Sequence, residues 1–455
     1  MPSVSGSLPS STINQAHTVR KKKHQIGPPF WNLPRNVYLL LIFTLGKGFQ
    51  LSIAALTLNL YVHSLGYRPD FIGLFSAMPA LGALIGAVPT GMLADRIGRK
   101  PVLLLTAFFT PLILALVALA TSAPILLAVS FLQGLVSTAY WVTNLPLLTE
   151  STNEKQRVGV LALNSFLLLG VGALGNLLGG AIPEYVAALL HVSASSTLPL
   201  RWGVFAAALF TFVFGLPLWF LREPARSAKQ PAKAQELQQV EAVTIPEVAE
   251  VVAEAKTTQQ ESSSSAVKEK TPLLLFTKLL LPDLIFNMGE GAVVALIQVY
   301  FVLRFQLMPG TLGIIFTISG LLGGVLSLTA PLFVRRWSKL RIVTTVQYIS
   351  APLMVLIGLS STLPVAIAGE YTRSFLRTLI DPVYAAFEME QVPPKLRATL
   401  AGLYSVTWSV GFSIGPTIAG WLQTNVNLAT SFIFGAICLL ISPSLLLAFF
   451  GKKKV

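Results

Sequence analysis

The chain of 455 residues contains a single cysteine, Cys438, and four histidines. That scarcity excludes a disulfide framework and any thiolate or imidazole metal cage within one chain. Charge is scarce as well: 11% of the residues are charged and 53% are hydrophobic, too little polar surface to dissolve a globule of this length. The sequence also lacks a phosphate-binding loop and any nucleophile motif, so neither an enzyme nor direct ATP drive is expected, and no cofactor is called for. The charge that remains is lopsided, with 33 basic residues against 19 acidic ones and a net charge of +14. Its placement decides what it means.

Apolar sequence is abundant. Twelve segments, at 36–62, 70–94, 100–121, 123–148, 158–182, 203–221, 273–303, 309–334, 341–361, 363–388, 398–423 and 427–450, are each long enough to cross a hydrocarbon core of about 30 Å. The expected fold is an all-α integral membrane protein with 12 transmembrane helices. A polar stretch over 222–272, ending in Ser262-Ser263-Ser264-Ser265 and Lys268-Glu269-Lys270, breaks the series midway and reads as a solvated cytoplasmic linker. It divides a tail (1–35) and a first six-helix bundle (36–221) from a second bundle (273–450) and a basic tail (451–455). Lys47, Arg373 and Arg377 fall inside segments, and Arg68, Arg201 and Arg304 in loops of one side; every other Lys and Arg lies on the opposite side. Such a bias is the positive-inside rule. It places both termini in the cytoplasm of a multi-pass protein of the plasma or inner membrane, and it leaves no need for a nucleic-acid partner. The polar tail and the length of the first segment speak against a cleaved leader.

Between the second and third segments stands a charged hairpin, Gly91-Met92-Leu93-Ala94-Asp95-Arg96-Ile97-Gly98-Arg99-Lys100. In that position the string resembles the loop signature of the major facilitator superfamily of secondary transporters. The resemblance implies two pseudo-symmetric six-helix bundles that carry a small-molecule solute through the bilayer by alternating access, as a monomer. It also implies a gate made by Gly91, Asp95, Arg96, Gly98 and Arg99. Asp95 would face the N-terminus of segment 11, and Arg96 or Arg99 would pair with Glu150 at the end of segment 4, latching the cytoplasmic side.

An offset of 240 residues relates the halves. Glu150 and Arg157 recur as Glu390 and Arg397, and Gly175-Asn176-Leu177-Leu178-Gly179-Gly180 recurs as Gly415-Pro416-Thr417-Ile418-Ala419-Gly420. The signature loop is copied poorly: Gly91, Asp95, Arg96 and Arg99 fall on Pro331, Arg335, Arg336 and Lys339. The C-terminal half is therefore expected to lack an equal latch. Segment 5 resembles the Gly-Pro-x-x-Gly-Gly signature of the superfamily's drug and proton antiporters, with Asn176 in place of the proline. Ser130 stands where those exporters carry an arginine in segment 4.

Ionisable groups inside a bilayer cost from about 2.5 kcal/mol upward unless they face a cavity or each other, so they mark the aqueous path. They occur deep in three segments: Lys47 in segment 1, Glu290 in segment 7, and Glu370, Arg373, Arg377 and Asp381 in segment 10. The last four continue through Tyr384 and Glu388 in steps of three and four, one stripe of a helix. Shifted by 240, that stripe becomes Ser130, Gln133, Ser137, Trp141, Asn144 and Leu148, and Lys47, Gln50, Ala54 and Leu58 become Asn287, Glu290, Val294 and Gln298. Four such stripes can enclose one polar chamber in which Lys47, Glu290 and Arg373 meet near the midplane. The candidate solute-binding residues are Lys47, Gln50, Gln133, Trp141, Asn144, Asn287, Gln298, Arg373, Arg377 and Tyr384. Glu290 is the candidate proton-coupling group, with Asp381 second, while the arginines suit a carboxylate or phosphate. The expected function is proton-coupled secondary transport of an anionic or zwitterionic, amphiphilic solute. The alternatives are a multidrug efflux proton antiporter or, outside the class, a receptor or lipid scramblase.

Overall fold

A computed structural model of the protein describes residues 33–222, 272–327, 337–393 and 396–451. The tails and the interior of the linker expected at 222–272 lie outside the described residues. Among the described residues the secondary structure is helical, with no strand. Twelve spanning helices follow in order: α1 Arg35–Ser64, α2 Pro69–Ile97, α3 Arg99–Leu119, α4 Ala123–Glu150, α5 Gly159–Leu190 and α6 Thr197–Phe220, then α7 Leu274–Phe305, α8 Pro309–Ser327, α9 Lys339–Leu359, α10 Leu363–Glu390, α11 Arg397–Asn425 and α12 Thr430–Phe450. Nine of these are long and apolar enough to cross a membrane on composition alone. Helix α10 falls short of that measure because its ionic stripe displaces apolar residues.

Local chemistry sets the boundaries. Prolines in the first turn open α2, α4 and α10, where a missing N–H leaves no orphan donor. A single residue, Gly98, separates α2 from α3 at φ +101°, a left-handed conformation that disfavours side chains. On α3, Leu105, Phe108, Leu112, Leu116 and Leu119 form one exposed stripe, which lipid covers in a membrane. Helix α5 is irregular, passing through a π turn at Phe166–Val171 and a 3-10 turn at Gly172–Leu174, while α11 runs as unbroken α-helix.

Packing repeats as the sequence does. In the first half α1 lies against α5 and α6, α2 against α4, and α3 against α4 and α6; the second half copies each pair as α7 with α11 and α12, α8 with α10, and α9 with α10 and α12. The halves join chiefly through two crossings, α2 with α11 and α5 with α8, which the 240-residue offset exchanges, with lighter contact between α1 and α7. Gly73 approaches the Pro416 carbonyl and Gly420 that of Pro69; in the copy, Gly313 approaches the Asn176 carbonyl and Gly180 that of Pro309. A Cβ at any of the four would collide with main chain. Hydrogen bonds stitch the same end: Asn59 Nδ2 to Ala295 O at 2.6 Å, Asp70 N to Thr424 Oγ1 at 2.9 Å, and Gly310 N to Glu184 Oε1 at 2.9 Å.

Gly180→Val or Gly420→Val is expected to destabilise this junction by about 1–3 kcal/mol through overpacking. The check is the maleimide reaction rate of a cysteine introduced as Asn59→Cys, since the native Cys438 is buried. A several-fold rise is expected, and an unchanged rate would contradict the role given to the crossings.

Candidate functional site

Helix α10 carries its stripe into contact with α7. Arg373 is buried and reaches one turn back to Glu370 in a bidentate pair, Nε to Oε2 at 2.8 Å and Nη2 to Oε1 at 3.0 Å. Its Nη1 donates to Glu290 Oε2 on α7 at 2.9 Å. Arg377, one turn further on, places Nε 3.4 Å from the same Glu290 oxygen, ion-pairs with Asp381, and lies 4.9 Å from the Phe286 ring centroid. Glu370, Arg373, Glu290, Arg377 and Asp381 thus form one chain of alternating charge. Charge-assisted, bidentate contacts of this kind offset the desolvation of groups taken out of water. Exposure rises along the chain, from side chains 2–5% exposed at Glu290, Glu370 and Arg373 to 54% at Asp381.

The exposed end opens into a cavity of about 410 Å³ between α7, α10 and α11, lined by Asp283, Phe286, Asn287, Arg377, Asp381, Tyr384, Ala385, Glu388, Met389, Ala401, Tyr404 and Trp408. Asp283 and Glu388 are buried, and Thr407 donates to Asp283 Oδ2. Asn287 is tied to the Asp283 main-chain carbonyl at 2.9 Å, and Phe286 meets Tyr384 edge-on at 6.0 Å. The cavity therefore presents three carboxylates, four aromatic rings and one guanidinium that is already paired.

The N-terminal half offers a separate polar group. Lys47 is 1% exposed, makes no ion pair among the described residues, and holds its Nζ 5.8 Å from the Tyr140 ring centroid. Asn144 donates to Thr44, Tyr140 and Asn164, so it braces α1, α4 and α5. Trp141 is 56% exposed and packs edge-on against Tyr140. Helix α7 is interrupted between Val294 and Ile297, and Gln298 is buried beyond that break and does not line the cavity.

The structure thus brings together Glu290, Arg373, Arg377 and Asp381, and joins Asn287 and Tyr384 to the cavity at their end. It does not bring Lys47 into the ionic chain. Both arginines that the sequence offered to an anionic solute are engaged by protein carboxylates here. Glu290, facing two guanidinium groups, is their shared counter-ion. Asp283 and Tyr404 escaped the sequence reading, and Glu388 was seen only as the tail of a stripe. Asp283 precedes Asn287 by four and Glu290 by seven residues, so helical spacing alone carried its signal.

The family model of the Major Facilitator Superfamily matches residues 38–416. This chain belongs to the Major Facilitator Superfamily. Mouse solute carrier family 22 member 2 is 33% identical over 174 residues, which cover 36% of this chain and 28% of that protein. The match thus spans under a third of that relative's length. Among solved structures, a bacterial homologue of the human lysosomal transporter Spinster, inward-facing and occupied, aligns with a TM-score of 0.70 at 13% identity over 91% of this chain and 95% of the other. A D-xylose-proton symporter aligns with a TM-score of 0.66 at 13% identity over 90% and 96%.

In this superfamily member the signature loop closes within one half. Arg99 at the start of α3 pairs with Glu150 at the end of α4, bracing the N-terminal bundle internally. Lys339 pairs with Glu390 at the positions 240 residues on. The expectation that the C-terminal half lacks an equal is therefore corrected for this pair, because Lys339 supplies the charge that Arg99 does and Glu390 repeats Glu150. Gly98 makes the turn, Gly91 has open space around it, and Asp95 and Arg96 are exposed in the last turn of α2.

Arg373→Met leaves the buried Glu370 carboxylate without its partner and Glu290 with Arg377 alone, and is expected to destabilise the protein by about 3–5 kcal/mol. Arg373→Lys should restore little of this, since an ammonium cannot replace a bidentate guanidinium that also reaches a second carboxylate. Glu150→Gln, in a half-exposed pair, should change stability by less than about 1 kcal/mol. Thermal unfolding in detergent compares all three.

Proposed function

We propose that this protein is a secondary active transporter that moves a small amphiphilic solute with a positively charged group, in exchange for protons, by alternating access. The observation that carries this reading is the cavity: Asp283, Asp381 and Glu388 supply negative charge, and Phe286, Tyr384, Tyr404 and Trp408 supply aromatic faces. Carboxylates attract a cation directly, and aromatic faces do so through their quadrupole. Because a proton and a cation compete for the same carboxylates, binding one releases the other, which is the thermodynamic basis of exchange. The proton-coupling role passes from Glu290, engaged by two arginines, to Asp381 with Asp283 and Glu388.

The lopsided basic residues support an orientation with both termini in the cytoplasm of a plasma or inner membrane. The cavity then lies on the cytoplasmic side of Glu290, and the glycine crossings lie on the outer side. Rocking of the two bundles about those crossings would expose the site to each face in turn.

Purified protein in proteoliposomes should accumulate an aromatic cation such as benzyltrimethylammonium against an imposed proton gradient. Acidification on the binding side should weaken it. Asp283→Asn should lower uptake by about tenfold or more, the loss of roughly 1.4 kcal/mol of ionic contact. Uptake of no cation, or uptake indifferent to the proton gradient and to Asp283, would reject the reading.

A further inference from the structure

The N-terminal half holds polar groups that the cation cavity does not use. Lys47 and Gln50 are buried, at 1% and 0% exposure, and lie one turn apart on the same face of α1. Among the described residues neither the Lys47 ammonium nor either amide atom of Gln50 has a hydrogen-bond partner, and Gln133 on α4 has a buried Oε1 in the same condition. The polar neighbours are committed elsewhere. Asn164 Oδ1 accepts from Thr44 at 2.8 Å and from Asn144 at 3.2 Å, and the Tyr140 hydroxyl donates to Thr44 at 3.4 Å. An uncompensated ammonium in this setting is strongly unfavourable, and each unpaired amide group adds to the deficit. The Tyr140 ring at 5.8 Å offers the ammonium only partial compensation.

The repeat shows what such positions do when filled. Shifted by 240 residues, Gln50 and Gln133 become Glu290 and Arg373, which bond to each other at 2.9 Å. The C-terminal half closes this place with its own opposite charges, whereas the N-terminal half leaves the Lys47 ammonium, the Gln50 amide and Gln133 Oε1 without a hydrogen-bond partner among the described residues. We propose that Lys47, Gln50 and Gln133 line a carboxylate-binding site, in which Lys47 supplies the charge and Gln50 Nε2 donates the hydrogen bond. The carboxylate belongs either to the transported solute, which is then dipolar, or to a separate anion. The inference rests on the reading of the chain as a transporter, and its site is distinct from the acidic cavity that would take the cation.

Three probes separate the cases: benzoate, benzyltrimethylammonium, and the zwitterion 4-(aminomethyl)benzoate, each assayed by ligand-induced thermal stabilisation of the purified full-length protein. Benzoate should stabilise the wild type, and Lys47→Met should abolish that shift while raising the ligand-free melting temperature, since an unpaired buried charge has gone. Gln50→Leu, a second variant should the first fail to fold, should weaken benzoate by about tenfold. Tighter binding of the zwitterion than of either fragment assigns the carboxylate to the solute; simultaneous binding of both fragments without gain from linkage assigns it to a separate anion. A benzoate shift retained in Lys47→Met with a lowered ligand-free melting temperature would make Lys47 a packing residue and overturn the site. Stabilisation by benzyltrimethylammonium without any by benzoate would overturn this inference and leave the proposed cation transport standing. The reverse pattern would reject cation transport and keep the carboxylate site.

Discussion

The ion cluster of Glu290, Glu370 and Arg373 is the constraint on which the C-terminal half depends. A charge in lipid is tolerated only where another charge or water meets it, and here two helices supply three such groups within hydrogen-bond reach. The pairing pins α10 to α7 near mid-membrane, at the sealed end of a chain of charges whose other end is wet. Arg377 and Asp381 continue that chain to the cavity. Any ligand charge that competes for Arg377 or Asp381 is thereby coupled to the contact between the two helices.

The two bundles share a plan and differ in chemistry. Five helix pairs of the first half recur in the second, yet the charged stripe of α10 is matched in α4 by serine, glutamine, tryptophan and asparagine. Ser130, at the place of Glu370, turns its hydroxyl to the Phe75 carbonyl at 3.0 Å and joins α4 to α2 without charge. Each bundle has one ion pair at its signature-loop end, but the buried face of α10 is held by ions and that of α4 by neutral hydrogen bonds, so the two bundles respond differently to pH and salt.

Much of the fold was legible because the bilayer forces long apolar runs and short loops on any chain that crosses it. The 240-residue repeat was legible for a related reason: glycines at helix crossings admit no substitute, so Gly175, Gly180, Gly415 and Gly420 stayed in register while the rest of the sequence drifted. The stripe of α10 was legible as well, and its residues meet as their spacing implied. Which charges pair across helices was not. Helical period fixes a face but not the rotation of one helix against another, and so it could not tell that Glu290 would meet Arg373 while Lys47, on the equivalent face of α1, would meet Tyr140. Asp283 lies further from the start of α7 than Glu370 does from the start of α10, and it was missed because the stripe on α7 was read only from Asn287 onward. Glu390 was seen as a repeat of Glu150, but the partner Lys339 was obscured by the poor match of the loop around it.

The irregularity of α5 sets the two crossings apart mechanically. A π turn widens the helix and loosens its hydrogen-bond ladder, and bends concentrate at such places. Helix α11, its counterpart by repeat, has no such interruption. Flexing during a rocking motion would thus be drawn to Phe166–Leu174 in α5, and in α11 to Pro416. The two crossings, alike by repeat, therefore yield in different ways.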